Sequence, residues 1–527
     1  MVEGKKYTRA RSARILLTRT VLIALIVVFA CAAAALASVS RRKSADWPLL
    51  FHDVGHTNYQ PYGRIDLNRL SVLWVYNFSD LAATFLPIAY DLNGDRSLEV
   101  VVVRNEPAPD GDRLMKLYCF DSRGVPLWTF CPQKEGRLSS PIDLDVVGVK
   151  RFRGVPTFLA VHGYCTYLFL NSSGKIHASF SIKELGLRPE RYRVHTLLPC
   201  GTDASGHLRM IGFAEASPFE KRHHYYVFCL TYPELKVYWK CYVNKYLPEW
   251  FDTIFMPTLA DVDGDGMYEI ITVSLGLESV EQETNRILCI DHDGSVLWNK
   301  TLPCQGSWFW SHVIRCCGED ADPYLVRFAL LNHAKPRVCT FDARGNFLWS
   351  VNFSHEITEA AAADFDQDGV YELVLGGGGQ ISLLDDSGLV RWQFSLPQSY
   401  RIYSLVLADC DMDPRPEILT IVSKATFCPD VKGYFKINNT LCCIDDDGNL
   451  LWTYTLPNID EMATGLITAD LNGDGLLEIL VLTYLRLYCL SAPLCTSFAA
   501  FTLSPSLLSM FFCLTPMVVP HQHTNRQ

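Results

Sequence analysis

The sequence predicts an all-β protein, a β-propeller of eight, alternatively seven, four-stranded blades, preceded by one N-terminal transmembrane helix. Three observations carry this. An acidic loop motif recurs five times, a hairpin motif ending in Trp recurs at a spacing of about 54 residues, and a 19-residue uncharged run stands near the N-terminus.

The acidic motif reads DLNGDRSLEVVVV from Asp91, DVDGDGMYEIITV from Asp261, DFDQDGVYELVLG from Asp364, DCDMDPRPEILTI from Asp409 and DLNGDGLLEILVL from Asp470. Each copy runs into a β-branched or aliphatic stretch of strand character. The second motif is a strand, a tight Asp-x-x-Gly turn and a second strand ending in Trp, as in ILCIDHDGSVLW at Trp298. Glycine stands there where a hairpin turn needs positive φ. Equivalent positions fall near 74, 128, 178, 239, 298, 349, 392 and 452, one four-stranded blade apart. After Trp452 the chain supplies only the front of another blade, and LSVLWVYNF around Trp74 supplies the missing strand, closing the ring without an unpaired edge. One Trp per blade at a fixed position points to packing between blades rather than to stacking on a ligand.

The acidic motif is not a helix-loop-helix calcium loop. Counting from Asp261, position 12 is Thr272, where that loop needs Glu, and Ile-Ile-Thr-Val follows Glu269 in place of a helix. Side-chain oxygens stand instead at positions 1, 3, 5 and 9 of a loop between two strands. The candidate ligands are Asp91, Asn93, Asp95 and Glu99; Asp261, Asp263, Asp265 and Glu269, with the Met267 carbonyl; Asp364, Asp366, Asp368 and Glu372; Asp409, Asp411, Asp413 and Glu417; and Asp470, Asn472, Asp474 and Glu478. Hard, mostly acidic oxygens suit Ca2+, in a structural role. The competing reading is a solvated turn whose Asp side chains cap backbone amides, and it gains weight in the fourth copy, which carries Pro414 and Pro416.

The uncharged run is 21–39, within an anchor helix assigned to 20–40. Six Lys/Arg precede it and three follow, so the positive-inside rule leaves 1–19 as a short cytoplasmic tail and puts the bulk of the chain outside the cell or in a lumen. A cleavable signal peptide is the alternative, because Ala35-Leu36-Ala37 has the form of a cleavage site. Sequons at Asn77, Asn171, Asn299, Asn352 and Asn438 all lie beyond the run, as a glycoprotein of the plasma membrane or secretory pathway requires. Without the first 43 residues, 38 basic residues of the 47 face 56 acidic ones of the 57, a formal charge of about −18 that argues against a nucleic-acid partner. Eighteen of 19 cysteines follow the start of the lumenal portion, where disulfides persist. Cys119 with Cys131, and Cys229 with Cys241, bracket two hairpins and are candidate cross-strand bridges. The adjacent pairs Cys316-Cys317 and Cys442-Cys443 read as one buried and one exposed strand position each.

The propeller is assigned to 41–490. The apolar stretch 491–527 replaces a last strand and reads as an atypical C-terminal tail, with disorder or membrane association as the competing readings. His52, Asp53 and His56 lack a matching metal-binding set elsewhere and read as part of a segment that interlocks with the ring.

The acidic motif resembles the FG-GAP, integrin-α type propeller repeat, and the Asp-x-x-Gly-x-x-x-Trp hairpin resembles that of quinoprotein-type propellers. With the N-terminal anchor, the chain over about 20–490 resembles the integrin-alpha FG-GAP repeat-containing single-pass transmembrane proteins. The resemblance implies fold and topology more than activity. The expectation is a non-enzymatic, type II, calcium-stabilised platform for an unknown protein or glycan partner. A secretory-pathway chaperone or trafficking accessory is the first alternative, and a quinone-dependent dehydrogenase the second. No catalytic constellation stands in the sequence.

Overall fold

The β-branched, aliphatic and aromatic runs between the turn motifs all form strands. The computed structural model of the chain describes Asp53 and 57–491, without 68–69, 80–82, 85, 108–112, 133–145, 150–157, 164, 204, 217–224, 244–250, 255–256, 277–285, 303–311, 318–325, 333–335, 398–399, 412, 414, 428–434 and 458–460. The anchor run, His52, His56 and the apolar tail lie outside these residues; among the described ones, no helix is long and apolar enough to cross a membrane.

The strands make eight antiparallel sheets, the eight blades of a propeller. In chain order they occupy 83–130, 146–181, 192–242, 251–301, 312–352, 359–395 and 400–455, and the eighth combines 463–491 with 71–77. That last sheet closes the ring as expected: Ser71–Asn77 pairs antiparallel with Arg486–Ser491, setting Trp74 opposite Cys489.

Blade six shows the plan. Its strands are Glu359–Ala363, Glu372–Gly377, Gln380–Leu384 and Val390–Ser395. The second is buried throughout and the third almost so, because neighbouring blades cover both faces. The outermost alternates exposed and half-buried positions, as an edge with one face on solvent must. First strands of successive blades lie against one another and form the inner ring.

The outermost strands carry the tryptophans, and six of the seven reach into the next blade. Trp74 Nε1 donates to the Ser122 carbonyl, Trp128 to Ser172, Trp239 to His292, Trp298 to Ala343, Trp349 to Asp386 and Trp392 to Asp446, at 2.6 to 3.0 Å. In each case the acceptor is the second residue of the neighbouring hairpin turn, and the indole lies on that turn's glycine. Two constraints therefore fall on Gly388: its φ is +85°, and an added Cβ would sit 2.6 Å from the Trp349 ring.

One junction departs from this on both sides at once. Blade two has Ala178 where the others have Trp, and the facing turn of blade three has Leu235, φ +53°, where blades one, two and four to seven have Gly. The large-on-small contact is inverted, and a hydrogen bond of 2.7 Å between His177 Nε2 and Tyr232 Oη stands beside it.

The same register explains much of the cysteine content. Cys119, Cys229, Cys289, Cys443 and Cys489 each lie opposite the Trp of their own blade and are wholly buried, where a small apolar side chain fits beneath an indole. The two hairpin disulfides are not formed. No S–S bond joins Cys119 to Cys131 or Cys229 to Cys241. Cys119 faces Trp128 while Cys131 lies beyond the end of the paired strand, and Cys229 faces Trp239 while Cys241 faces Val227. The adjacent pairs Cys316-Cys317 and Cys442-Cys443 are also corrected: both members are buried, because blade packing covers both faces of these strands.

The lead-in segment threads the inner ring. Asp53 pairs with the buried Arg315 of blade five at 3.4 Å. Thr57 O accepts from Ala362 N in blade six, Asn58 O from Leu407 N in blade seven, and Arg64 O from Leu477 N in blade eight. Tyr59–Gln60 adds a short parallel strand to blade seven. The segment thus straps four blades together, the interlocking role expected of it, and Asp53 serves as a counter-ion.

Candidate metal centre

The five acidic loops connect the first and second strands of blades one, four, six, seven and eight, so all lie at one end of the ring. Each loop is shaped by its own carboxylates. In blade four, Asp261 accepts from the amides of Gly264 (2.6 Å) and Gly266 (2.9 Å), Asp263 Oδ1 from Asp265 N, and Asp265 Oδ1 from Met267 N. Glu269 Oε2 accepts from Val262 N at 2.8 Å. Glu99, Glu372, Glu417 and Glu478 repeat this last bond to Leu92, Phe365, Cys410 and Leu471. The repeated geometry is that of amide-capping turns.

Burial raises all five glutamates from the usual carboxylate range, with the neighbouring Asp charges adding to it: Glu99, Glu372 and Glu478 to about 7, and Glu269 and Glu417 to about 8. A positive charge in the loop would favour the ionised forms.

The loops differ in what faces the remaining oxygens. In blades one and eight, Asn93 and Asn472 turn their amide nitrogens toward Glu99 Oε1 (2.8 Å) and Glu478 Oε1 (3.4 Å), while their Oδ1 atoms accept from Asp95 N and Asp474 N. A neutral donor thus takes the place where an oxygen ligand was expected. In blade six, Asp364 caps the amides of Asp368 and Gly369. Arg391, in the position before the blade's Trp, pairs with Asp366 and lies 3.6 Å from Glu372 Oε1. Five other blades carry Leu before the Trp, so the change was visible in LVRW but had no evident meaning until the guanidinium was placed. In blade seven Asp413 caps Arg415 N, and Arg415 pairs with Asp446 of the hairpin turn.

Three loops bring acidic oxygens together as a cation would need: Asp261, Asp263 and Asp265; Asp364, Asp366 and Glu372; Asp409, Asp411 and Glu417, each set within 4.8 Å. A fourth set, Asp265, Glu269 and His292, includes a residue not singled out in the sequence. His292 belongs to the turn of IDHDG, on a different strand pair, and only the packing of turn against loop brings it there. The residues of blade four fit a divalent ion best: Glu269 Oε1 and Glu372 Oε1 are both buried without a hydrogen bond, but Glu372 Oε1 has Arg391 3.6 Å away.

Of the sequons, Asn77 and Asn352 are exposed at the ends of outermost strands, where their Oδ1 atoms accept from Arg486 and Arg337. Asn171, Asn299 and Asn438 are half-buried.

No protein-family model and no curated protein matches the chain. Among solved structures it is similar to the exotype rhamnogalacturonan lyase YesX (15% identity, 84% of this chain and 75% of that one, TM-score 0.46). It is also similar to the Pan2 WD40 domain of Neurospora crassa (9% identity, 82% and 98%, TM-score 0.36).

Proposed function

We propose that the chain is a non-enzymatic, single-pass type II membrane glycoprotein of the plasma membrane or secretory pathway. Its propeller is a binding platform for a protein or glycan, stabilised by Ca2+ in the acidic loops. The observation that carries this reading is the stacking of acidic loops on one end of the ring, with second carboxylate oxygens converging and a buried, unpartnered Glu269 Oε1 in blade four. Calcium would supply the positive charge that these oxygens lack and hold the loops in shape. The anchor run, the five sequons and the acidic net charge support the topology. A repeated row of apolar residues before the tryptophans, Leu73, Leu127, Leu297, Leu348 and Leu451, is 40 to 54% exposed and supports a surface role over an internal one.

The test is thermal unfolding of the purified full chain with Ca2+ and with excess chelator. Because an ion that binds the folded loops stabilises by mass action, the midpoint rises with Ca2+. An unchanged midpoint would refute the calcium-stabilised platform.

A further inference from the structure

The acidic loop of blade four differs from the others in both of its neighbours. Its Glu269 Oε1 is fully buried with no hydrogen-bond partner, whereas Asn amides or Arg391 face the equivalent oxygens of blades one, eight and six. The hairpin turn beside it is also rewired. In the other turns the first residue's side chain caps two amides, as Asp121 Oδ1 does for Arg123 and Val125, and Asp385 Oδ1 for Ser387 and Leu389. In blade four Ser295 N turns instead to Asp293 Oδ1. This leaves Asp291 Oδ1 and His292 Nδ1 buried without hydrogen bonds, 2.7 Å from one another, with His292 Nδ1 3.4 Å from Asp265 Oδ2. Trp239 of blade three holds the His292 carbonyl at 2.8 Å, fixing the imidazole's base.

We propose that this juxtaposition is a site for a first-row transition-metal ion of the Zn2+ or Mn2+ class, held by Asp265 Oδ2, Glu269 Oε1 and His292 Nδ1. It rests on the reading of the acidic loops as divalent-cation sites and narrows it for one blade. The three ligand atoms lie within 4.8 Å of one another. Atoms about 2.1 Å from a shared ion lie at most about 4.2 Å apart, so a contraction of about half an ångström closes the site. An imidazole nitrogen favours such ions over Ca2+, which takes six to eight oxygens. Asp291 Oδ1, 2.7 Å from the same ring nitrogen, is placed to join the set as a fourth ligand.

The experiment uses the full chain in detergent, stripped with chelator and titrated with Co2+ alone as the probe. Wild type is expected to take up Co2+ with the visible absorption of mixed nitrogen and oxygen coordination. His292→Asn should bind it at least about tenfold more weakly, with the Ca2+-dependent rise in melting midpoint unchanged. Glu269→Gln should lose Co2+ as well, with tryptophan fluorescence reporting that the fold is kept. Co2+ binding that is equal in wild type and His292→Asn would overturn the site while leaving the calcium reading intact. Neither Co2+ uptake nor a Ca2+ shift in wild type would overturn both.

Discussion

Replacing Gly388 by Ala tests whether the Trp-on-glycine contact clamps one blade to the next. At φ +85°, an L-residue pays about 1 to 2 kcal/mol for the left-handed region. Its Cβ would also stand 2.6 Å from two atoms of the Trp349 ring, which must move. Overpacking of that kind costs about 1 to 3 kcal/mol. Shifting the indole strains its 2.7 Å hydrogen bond to the Asp386 carbonyl, worth about 1 kcal/mol. The expected loss is thus about 3 to 6 kcal/mol. Gly206 is the control, since it closes an Asp-x-x-Gly turn with the same backbone bonds, at φ +84°, with nothing within 4 Å of an added Cβ. Gly206→Ala should cost only the backbone share, about 1 to 2 kcal/mol. Urea unfolding of the two variants reads the difference, about 2 to 4 kcal/mol by the terms above. In a Trp349→Leu background, the effect of Gly388→Ala should shrink toward that of Gly206→Ala. Equal losses at Gly206 and Gly388 would refute the clamp.

Other perturbations separate the remaining arguments. Glu359, at the start of blade six's first strand, is pushed up to about 8 by burial. A raised carboxyl contributes stability that is present below its unfolded value and lost as pH rises through 8; Glu359→Gln should therefore flatten the fall in stability between pH 5 and 8, a difference of about 2 to 4 kcal/mol read by denaturation at the two ends. Arg391→Leu, the residue five other blades carry, removes the cation facing Asp366 and Glu372. The variant should melt lower than wild type in chelator and gain more from added Ca2+, and parallel melting curves with and without Ca2+ would count against the arginine's role. The thiol of Cys200 lies beside that of Cys229, and the thiol of Cys410 beside that of Cys443. Peptide mapping after mild oxidation should find these pairs linked before any bridge between Cys119 and Cys131, and the reverse order would show that the strand register is wrong.

The sequence by itself determined the strands and the closing of the ring and favoured eight blades over seven, which the sheet topology decided. Each rests on local rules repeated around the ring: β-branched runs, Gly where φ must be positive, and Trp at a fixed distance from it. The strand around Trp74 was legible as the missing piece because its partners after Asp470 had no other edge to meet. The carboxylates of the acidic loops were equally legible, since their spacing is set by one short segment. What faces those carboxylates was not. Asn93 and Asn472 present nitrogen where oxygen was expected, Arg391 arrives from the outermost strand, and His292 comes from a neighbouring turn. Cysteine spacing was misleading for the same reason, because Cys119 and Cys229 answer to the indole opposite them rather than to the next cysteine in the chain. Local backbone preference is written in adjacent residues; the partners of a side chain are chosen by the packing of blade on blade, which only the tertiary structure decides.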